Sequence, residues 1–262
     1  MIKKTLAGLA IGCVLSAPAA FAEEYKGFYF GVWGGSGSVD IPSKGTFDTA
    51  VTASLPTELT RSAYIDDNGT TVATDDVLHT FALVGSGTSK LDDSVSVWGV
   101  QLGYRFGKYF ATEVGYAKLG EASYRLPVTV RETVRDLTTN ATASGNFLGE
   151  RAMQFTSSGP TISALGMMPI GQFIDLHVRG GIYLADTRVT NRLRDVEFNS
   201  GNVYHQRVDA SQTEVFGGIG GAWNINENFV LRVEYQKYLD VGDDEKTGES
   251  DIDVFNLSVL FK

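Results

Sequence analysis

Residues 229–262 read FVLRVEYQKYLDVGDDEKTGESDIDVFNLSVLFK. Leu231, Val233 and Tyr235 alternate with Arg232, Glu234 and Gln236, a period of two that marks a strand with one apolar and one polar face. An acidic, glycine-containing loop follows. Then Phe255, Leu257, Val259 and Phe261 alternate with Val254, Asn256, Ser258 and Leu260. Two antiparallel strands joined by a loop are expected. Alternation alone leaves the inner face open. A soluble barrel buries its apolar face, whereas a membrane barrel turns that face to lipid and keeps charges in its lumen.

The start of the chain resolves the choice. Lys3 and Lys4 precede an apolar run, Leu6 to Leu15, and Ala20-Phe21-Ala22 supplies a small-x-small cleavage site. Residues 1–22 are therefore expected to be a secretory signal peptide cut before Glu23, with 23–262 as one barrel domain. The apolar run is too short to cross a membrane as a helix. The single cysteine, Cys13, lies inside this signal, so the mature chain is expected to hold neither a disulfide nor a thiolate metal site. The net charge is −9, which speaks against a general nucleic-acid partner.

Outward from the closing pair, the same rhythm recurs. Strands are expected at 25–39, 94–106, 109–119, 154–168, 173–188 and 213–224, giving eight with the final two. Four connections are long (40–93, 120–151, 189–210, 240–250) and three are short (107–108, 169–171, 225–228). Long and short alternate, so all long loops fall at one end and both termini at the other. This is the layout of an all-β, eight-stranded antiparallel transmembrane barrel with short periplasmic turns and long extracellular loops. Phe106, Tyr109, Phe110, Phe173, Trp223, Phe229 and Phe261 cluster near strand ends, as interfacial girdles require. Closure is obligatory, because an open edge in lipid leaves backbone groups without partners.

The stretch from Leu102 to Gly120, LGYRFGKYFATEVGYAKLG, resembles the second hairpin of the OmpA family of outer-membrane barrels. DLHVRGGIYLADT, from Asp175 to Thr187, resembles its fifth strand, and Val215-Phe-Gly-Gly218 and Leu231 to Gln236 resemble its sixth and seventh. The resemblance implies a barrel in the outer membrane of a Gram-negative bacterium, monomeric and without cofactor. It also implies a member lacking the family's peptidoglycan-binding domain, similar to the short OmpX-like surface proteins. The chain departs from the usual terminal aromatic by ending Phe261-Lys262.

By parity Glu113, Arg179, Arg232 and Glu234 face the lumen with Arg105 and Gln101. An eight-stranded barrel is only wide enough for side chains to fill it, so these charges must pair. The resemblance gives Glu113, Arg179 and Glu234 places in a lumen salt-bridge network regarded as a gate. One cation of that network belongs on the fourth strand, yet 154–168 contains neither Lys nor Arg. A packed polar core and a conducting gate both remain open.

His79, His177 and His205 each lack a neighbouring serine nucleophile and acid in sequence, so no enzyme is expected; a lipid A-modifying enzyme is the third reading. The loops are the individual part of the chain. Asp66-Asp-Asn-Gly69 reads as a turn without full calcium-loop spacing. Residues 78–84 are expected to form a short strand or a lid. Tyr124, Leu126, Val128 and Val130 alternate with polar residues, which allows a sheet protruding above the membrane whose edge could recruit a partner strand. Arg188, Arg192, Arg194 and Arg207 suit lipopolysaccharide phosphates. The resemblance implies envelope integrity and surface interaction, such as adhesion or resistance to host factors, through these loops. A narrow gated pore is the alternative.

Overall fold

A computed structural model of the protein describes residues 26–40, 44–66, 76–198 and 202–262. The expected signal peptide and its cleavage site, and residues 67–69 of the acidic turn, lie outside the described residues. The elements are β1 (Gly27–Val39), α1 (Lys44–Arg61), β2 (Tyr64–Asp66), β3 (Val77–Ser86), β4 (Lys90–Asp92), β5 (Ser94–Arg105), β6 (Phe110–Asp136), β7 (Thr142–Ile170), β8 (Ile174–Phe198), β9 (Asn202–Asn224), β10 (Phe229–Asp243) and β11 (Gly248–Phe261).

Eight of these strands close a ring in the order β6-β5-β1-β11-β10-β9-β8-β7 and back to β6, all pairs antiparallel. The first and last strands seal it, from Phe30 opposite Phe261 to Val39 opposite Ile252. Phe28, Phe30, Val100, Leu102, Val114, Tyr116, Ile162, Val178, Ile219, Val233, Phe255 and Leu257 point outward and are exposed. The apolar face therefore meets lipid and the charged face lines the lumen. Aromatic rings crowd the periplasmic rim, where Tyr104 meets Phe28 at 4.7 Å and Phe106 at 4.8 Å, and Phe229 meets Phe261 at 5.2 Å.

Two expected loops are mostly strand. A membrane strand needs about 9–11 residues, but β6 has 27 and β7 has 29, and they stay paired from Phe110 opposite Gly166 up to Arg135 opposite Thr142. The β8–β9 hairpin likewise carries the wall through most of 189–210. These segments were expected as loops because their apolar residues are sparse; in β6 those above Gly120 keep the even parity of Val114 and Tyr116 yet line the inner face.

The reason is a bulge. Lys118 pairs with Ser158 and Glu121 with Thr156, so three residues of β6 span two of β7. Gly120 absorbs the irregularity at φ 80°, a left-handed conformation that glycine adopts without strain, and a Cβ there would stand 2.6 Å from the Ser96 carbonyl oxygen. One extra residue exchanges the faces. Below Gly120 the apolar side chains of β6, Val114 and Tyr116, are outside. Above it, Tyr124, Leu126, Val128 and Val130 are inside and buried. The bulge thus marks the change from a wall solvated by lipid to one solvated by water.

Above the bulge, loop one supplies what the wall needs. β4 and β3 pair in turn with β6, and β2 pairs with β3. Between these strands and the opposite wall lies α1, a helix not expected from sequence. Val51, Leu55 and Leu59 recur every four residues and pack on Phe81, Tyr124, Leu126, Val128, Val130 and Leu193. The helix fills the extracellular mouth.

Candidate functional site

The lumen site is built by alternate residues of five barrel strands. Arg179 of β8 is the hub. Its Nε donates to Glu234 Oε1 at 2.5 Å and its Nη2 to Glu234 Oε2 at 3.2 Å. The same Nη2 lies 2.6 Å from Glu113 Oε2, and Nη1 donates to Ser163 Oγ at 3.2 Å. Arg232 Nη1 donates to Glu113 Oε1 at 2.7 Å. Tyr29 Oη donates to the same oxygen at 2.5 Å, with its ring 5.8 Å from the Arg232 guanidinium. His177 Nε2 stands 3.5 Å from Glu234 Oε1. Glu234 is 1% exposed and Arg179 8%. Two arginines and two glutamates leave the ring with no net formal charge, as charges held away from water require.

The structure brings four of the five sequence-predicted site residues together and separates the fifth. Arg105 is not in the ring. It lies at the periplasmic end, where its Nη1 donates to Asp175 at 3.1 Å and its other nitrogens donate to the Gly107 and Lys108 carbonyls at 3.0 and 2.9 Å. Arg105 and Glu113 do share a face, but Glu113 pairs with Gly103, so Arg105 lies two residues, about 7 Å, nearer the periplasmic end. Parity alone could not show that distance. The vacant cation position on the fourth strand is met by Ser163, and Arg232 provides the second guanidinium. Tyr29, His177 and Ser163 were legible as lumen residues but not as members of the ring. Tyr29 reaches Glu113 by lying flat over Gly103, where a Cβ would come within 2.2 Å of its ring.

Apolar layers sandwich the ring. Tyr29, Ala111, Leu165, Ala222, Val230 and Leu260 pack below it. Trp33, Leu119, Tyr183, Phe216, Tyr238 and Ile252 belong to the layer above, where Phe216 stacks on Tyr238 at 4.8 Å and Tyr183 meets Tyr238 edge-on at 5.2 Å. The helix layer stands over both. Arg151, buried in the wall, fixes the helix through Glu58 at 2.7 and 3.0 Å. Tyr124 Oη donates to Asp48 at 2.6 Å. Burial first, and the Asp48 carboxylate second, push the Tyr124 hydroxyl well above its ordinary pKa.

The second feature is the protruding sheet β2-β3-β6-β7. Its tip is closed by Asp136, whose Oδ1 accepts the Thr138 and Thr139 amides at 2.8 and 2.7 Å; these bonds hold its carboxyl below the usual range. Among the described residues, β8 pairs with β7 only up to Glu150 opposite Arg194, and β7 residues 142–149 pair with β6 alone. Leu148, 80% exposed, sits on this edge. The histidines are dispersed. His79 pairs with Glu132 at 2.6 Å inside the sheet, His177 touches the ring, and His205 lies opposite Arg192 on the outer wall.

Residues 63–262 match the model of the OmpA-like transmembrane domain. The chain belongs to this family. The match begins at the loop-one sheet and leaves β1 outside it, although β1 closes the ring. No curated protein matches the sequence. Among solved structures, Neisserial surface protein A is similar at 11% identity, covering 92% of this chain and 99% of its own, with a TM-score of 0.41. Ail of Yersinia pestis is similar at 10% identity, covering 89% and 97%, TM-score 0.33. OprG of Pseudomonas aeruginosa is similar at 15%, covering 90% and 94%, TM-score 0.28. The family assignment rests on the sequence match. It places this OmpA-like barrel in the outer membrane of a Gram-negative bacterium.

Proposed function

We propose that this OmpA-like barrel is a surface-interaction protein that also contributes to envelope integrity, with the protruding sheet as its contact surface. The observation that carries this reading is the one-sided pairing of β7 residues 142–149. A strand edge of this length offers unpaired amides and carbonyls to an extended segment of an extracellular protein. It stands on the part of β7 most distant from the membrane. The rigid barrel below holds it there, as binding surfaces on fixed scaffolds are held.

The pore reading has less support. The charged ring closes on itself, an aromatic layer lies over it, and α1 fills the mouth. In planar bilayers the purified protein is expected to give no discrete conductance steps, and regular steps would favour the gate.

Blunting the edge tests the main reading. Gly145→Lys with Leu148→Lys places two charges where a partner strand must lie. A side chain at Gly145 meets nothing nearer than the Phe147 ring at 3.7 Å, so the barrel should still fold. Attachment of cells displaying the protein to immobilised extracellular-matrix proteins is expected to fall at least tenfold. Undiminished attachment with normal surface display would refute the edge as the contact.

A further inference from the structure

The strand register assembles a row that the sequence scatters over 115 residues. Lys90 of β4 pairs with Arg125 of β6, Arg125 with Ala152 of β7, Ala152 with Arg192 of β8, and Arg192 with His205 of β9. Leu91, Tyr124, Arg151 and Leu193 beside them point inward, so all five row residues face outward from the wall. Ala152, between the two arginines, is 4% exposed.

The row holds cations and no acid. Lys90 directly opposite Arg125 is a like-charge pair, which destabilises a sheet unless something neutralises it. Neither residue, nor Arg192, has an ion-pair partner among the described residues, and the Arg192 Nε is buried without a hydrogen-bond acceptor. The nearest carboxylates lie one row away. Asp92, below, accepts the Ser94 amide at 3.3 Å, and Glu150, above, pairs in register with Arg194. Other outer arginines differ: Arg188 and Arg207 both close on Asp209 at 2.7 and 2.8 Å, which holds that carboxyl low. Arg131 and Arg135, higher on β6, donate to the side-chain oxygens of Asn146 and Asn140, so this row stands out by gathering its cations in one register.

Its height indicates what meets it. Lys118 is the first outward polar residue of β6 above Tyr116. Arg125 lies seven residues further, about 20 Å along the strand and about 15 Å along a barrel axis tilted by about 40°. That is above the headgroup level and among the saccharides of the outer leaflet. From Lys90 to Arg192 the row spans three strand spacings, about 14 Å, which suits two or three phosphates on neighbouring sugars.

We infer that Lys90, Arg125 and Arg192 form a binding row for the phosphates of a phosphorylated outer-leaflet glycolipid core, held against the outside of the wall. The inference rests on the reading of this wall as the water-exposed stalk of a surface protein. It supplies that stalk with a lateral partner distinct from whatever the β7 edge takes.

The test uses the full-length protein in nanodiscs, with Lys90→Gln, Arg125→Gln and Arg192→Gln combined, and Arg188→Gln as a control outside the row. The probes are lipopolysaccharide with a phosphorylated core, the same lipopolysaccharide with core phosphates removed, lipid A alone, and inorganic polyphosphate. The unsubstituted protein and the control should bind the phosphorylated core at least tenfold more tightly than the dephosphorylated one, with an affinity that weakens as salt rises. The triple variant should bind both equally, while retaining the gel mobility of a folded barrel. Loss of phosphate preference in the unsubstituted protein, or its persistence in the triple variant, overturns the inference. A preference already complete with lipid A alone, or equal binding of polyphosphate, overturns the assignment to the glycolipid core. The strand-edge variant is read by attachment instead, so either proposal can fail while the other stands.

Discussion

Arg179→Met should cost the folded barrel roughly 3–5 kcal/mol. The substitution keeps much of the side-chain volume and removes only the guanidinium. Glu234 then loses both hydrogen bonds from Arg179 and keeps His177 at 3.5 Å. Glu113 loses one cation and keeps Arg232. Two carboxylates remain against one arginine in a layer closed above and below by apolar side chains. The cost comes mainly from the orphaned charge, not from the attraction lost. Arg179→Met combined with Glu234→Gln should therefore recover most of the stability, because one charge of each sign has gone. Urea unfolding in detergent micelles, followed by tryptophan fluorescence, measures both variants. A loss below about 1 kcal/mol would mean that water reaches the ring, a value typical of solvated ion pairs, and would return weight to the gated pore.

Val233→Arg, one residue away from Glu234, should cost about 2–4 kcal/mol for the opposite reason. Val233 pairs with Leu257 and Gly221 on the outer face. An arginine there faces hydrocarbon near the middle of the span and finds no partner in lipid. The measurement is the same unfolding midpoint, taken in bilayers and again in short-chain detergent. The penalty should shrink in detergent, where water approaches the wall more closely. An equal penalty in both would point to packing within a core, and so to a barrel with its apolar face inside.

The membrane barrel was legible because its strands keep one parity for their whole length. From Leu231 to Gln236 every odd residue is apolar and every even one polar, so strand, faces and lumen charges follow together. The extracellular half was harder to read for identifiable reasons. Gly120 shifts the parity of β6, and the apolar residues beyond it belong to a different solvent. α1 went unseen because its buried face consists of Val51, Leu55 and Leu59 alone within a Thr- and Ser-rich stretch, with Pro56 inside the helix. Its register is set by the walls around it more than by its own pattern. In the lumen, parity named the residues on the inner face but not their heights. Arg105 was therefore grouped with Glu113, while the Tyr29 hydroxyl that reaches Glu113 was passed over. The cation row was unreadable from sequence, because it exists only once five strands are in register.

The account turns on the exchange of faces at Gly120, since that fixes both the membrane barrel and the stalk above it. Single-cysteine variants along β6 measure it directly, with a fluorophore on each and quenchers confined to acyl chains. Labels at Val114→Cys and Tyr116→Cys should be strongly quenched. Labels at Leu126→Cys and Val128→Cys, of the same even parity but above the bulge, should not be. Arg125→Cys and Arg131→Cys should react with a membrane-impermeant thiol reagent on intact cells. Acyl-chain quenching that continued through residues 126 and 128 would contradict the account, because the lipid face would then run unbroken past Gly120 and no stalk would stand outside the membrane.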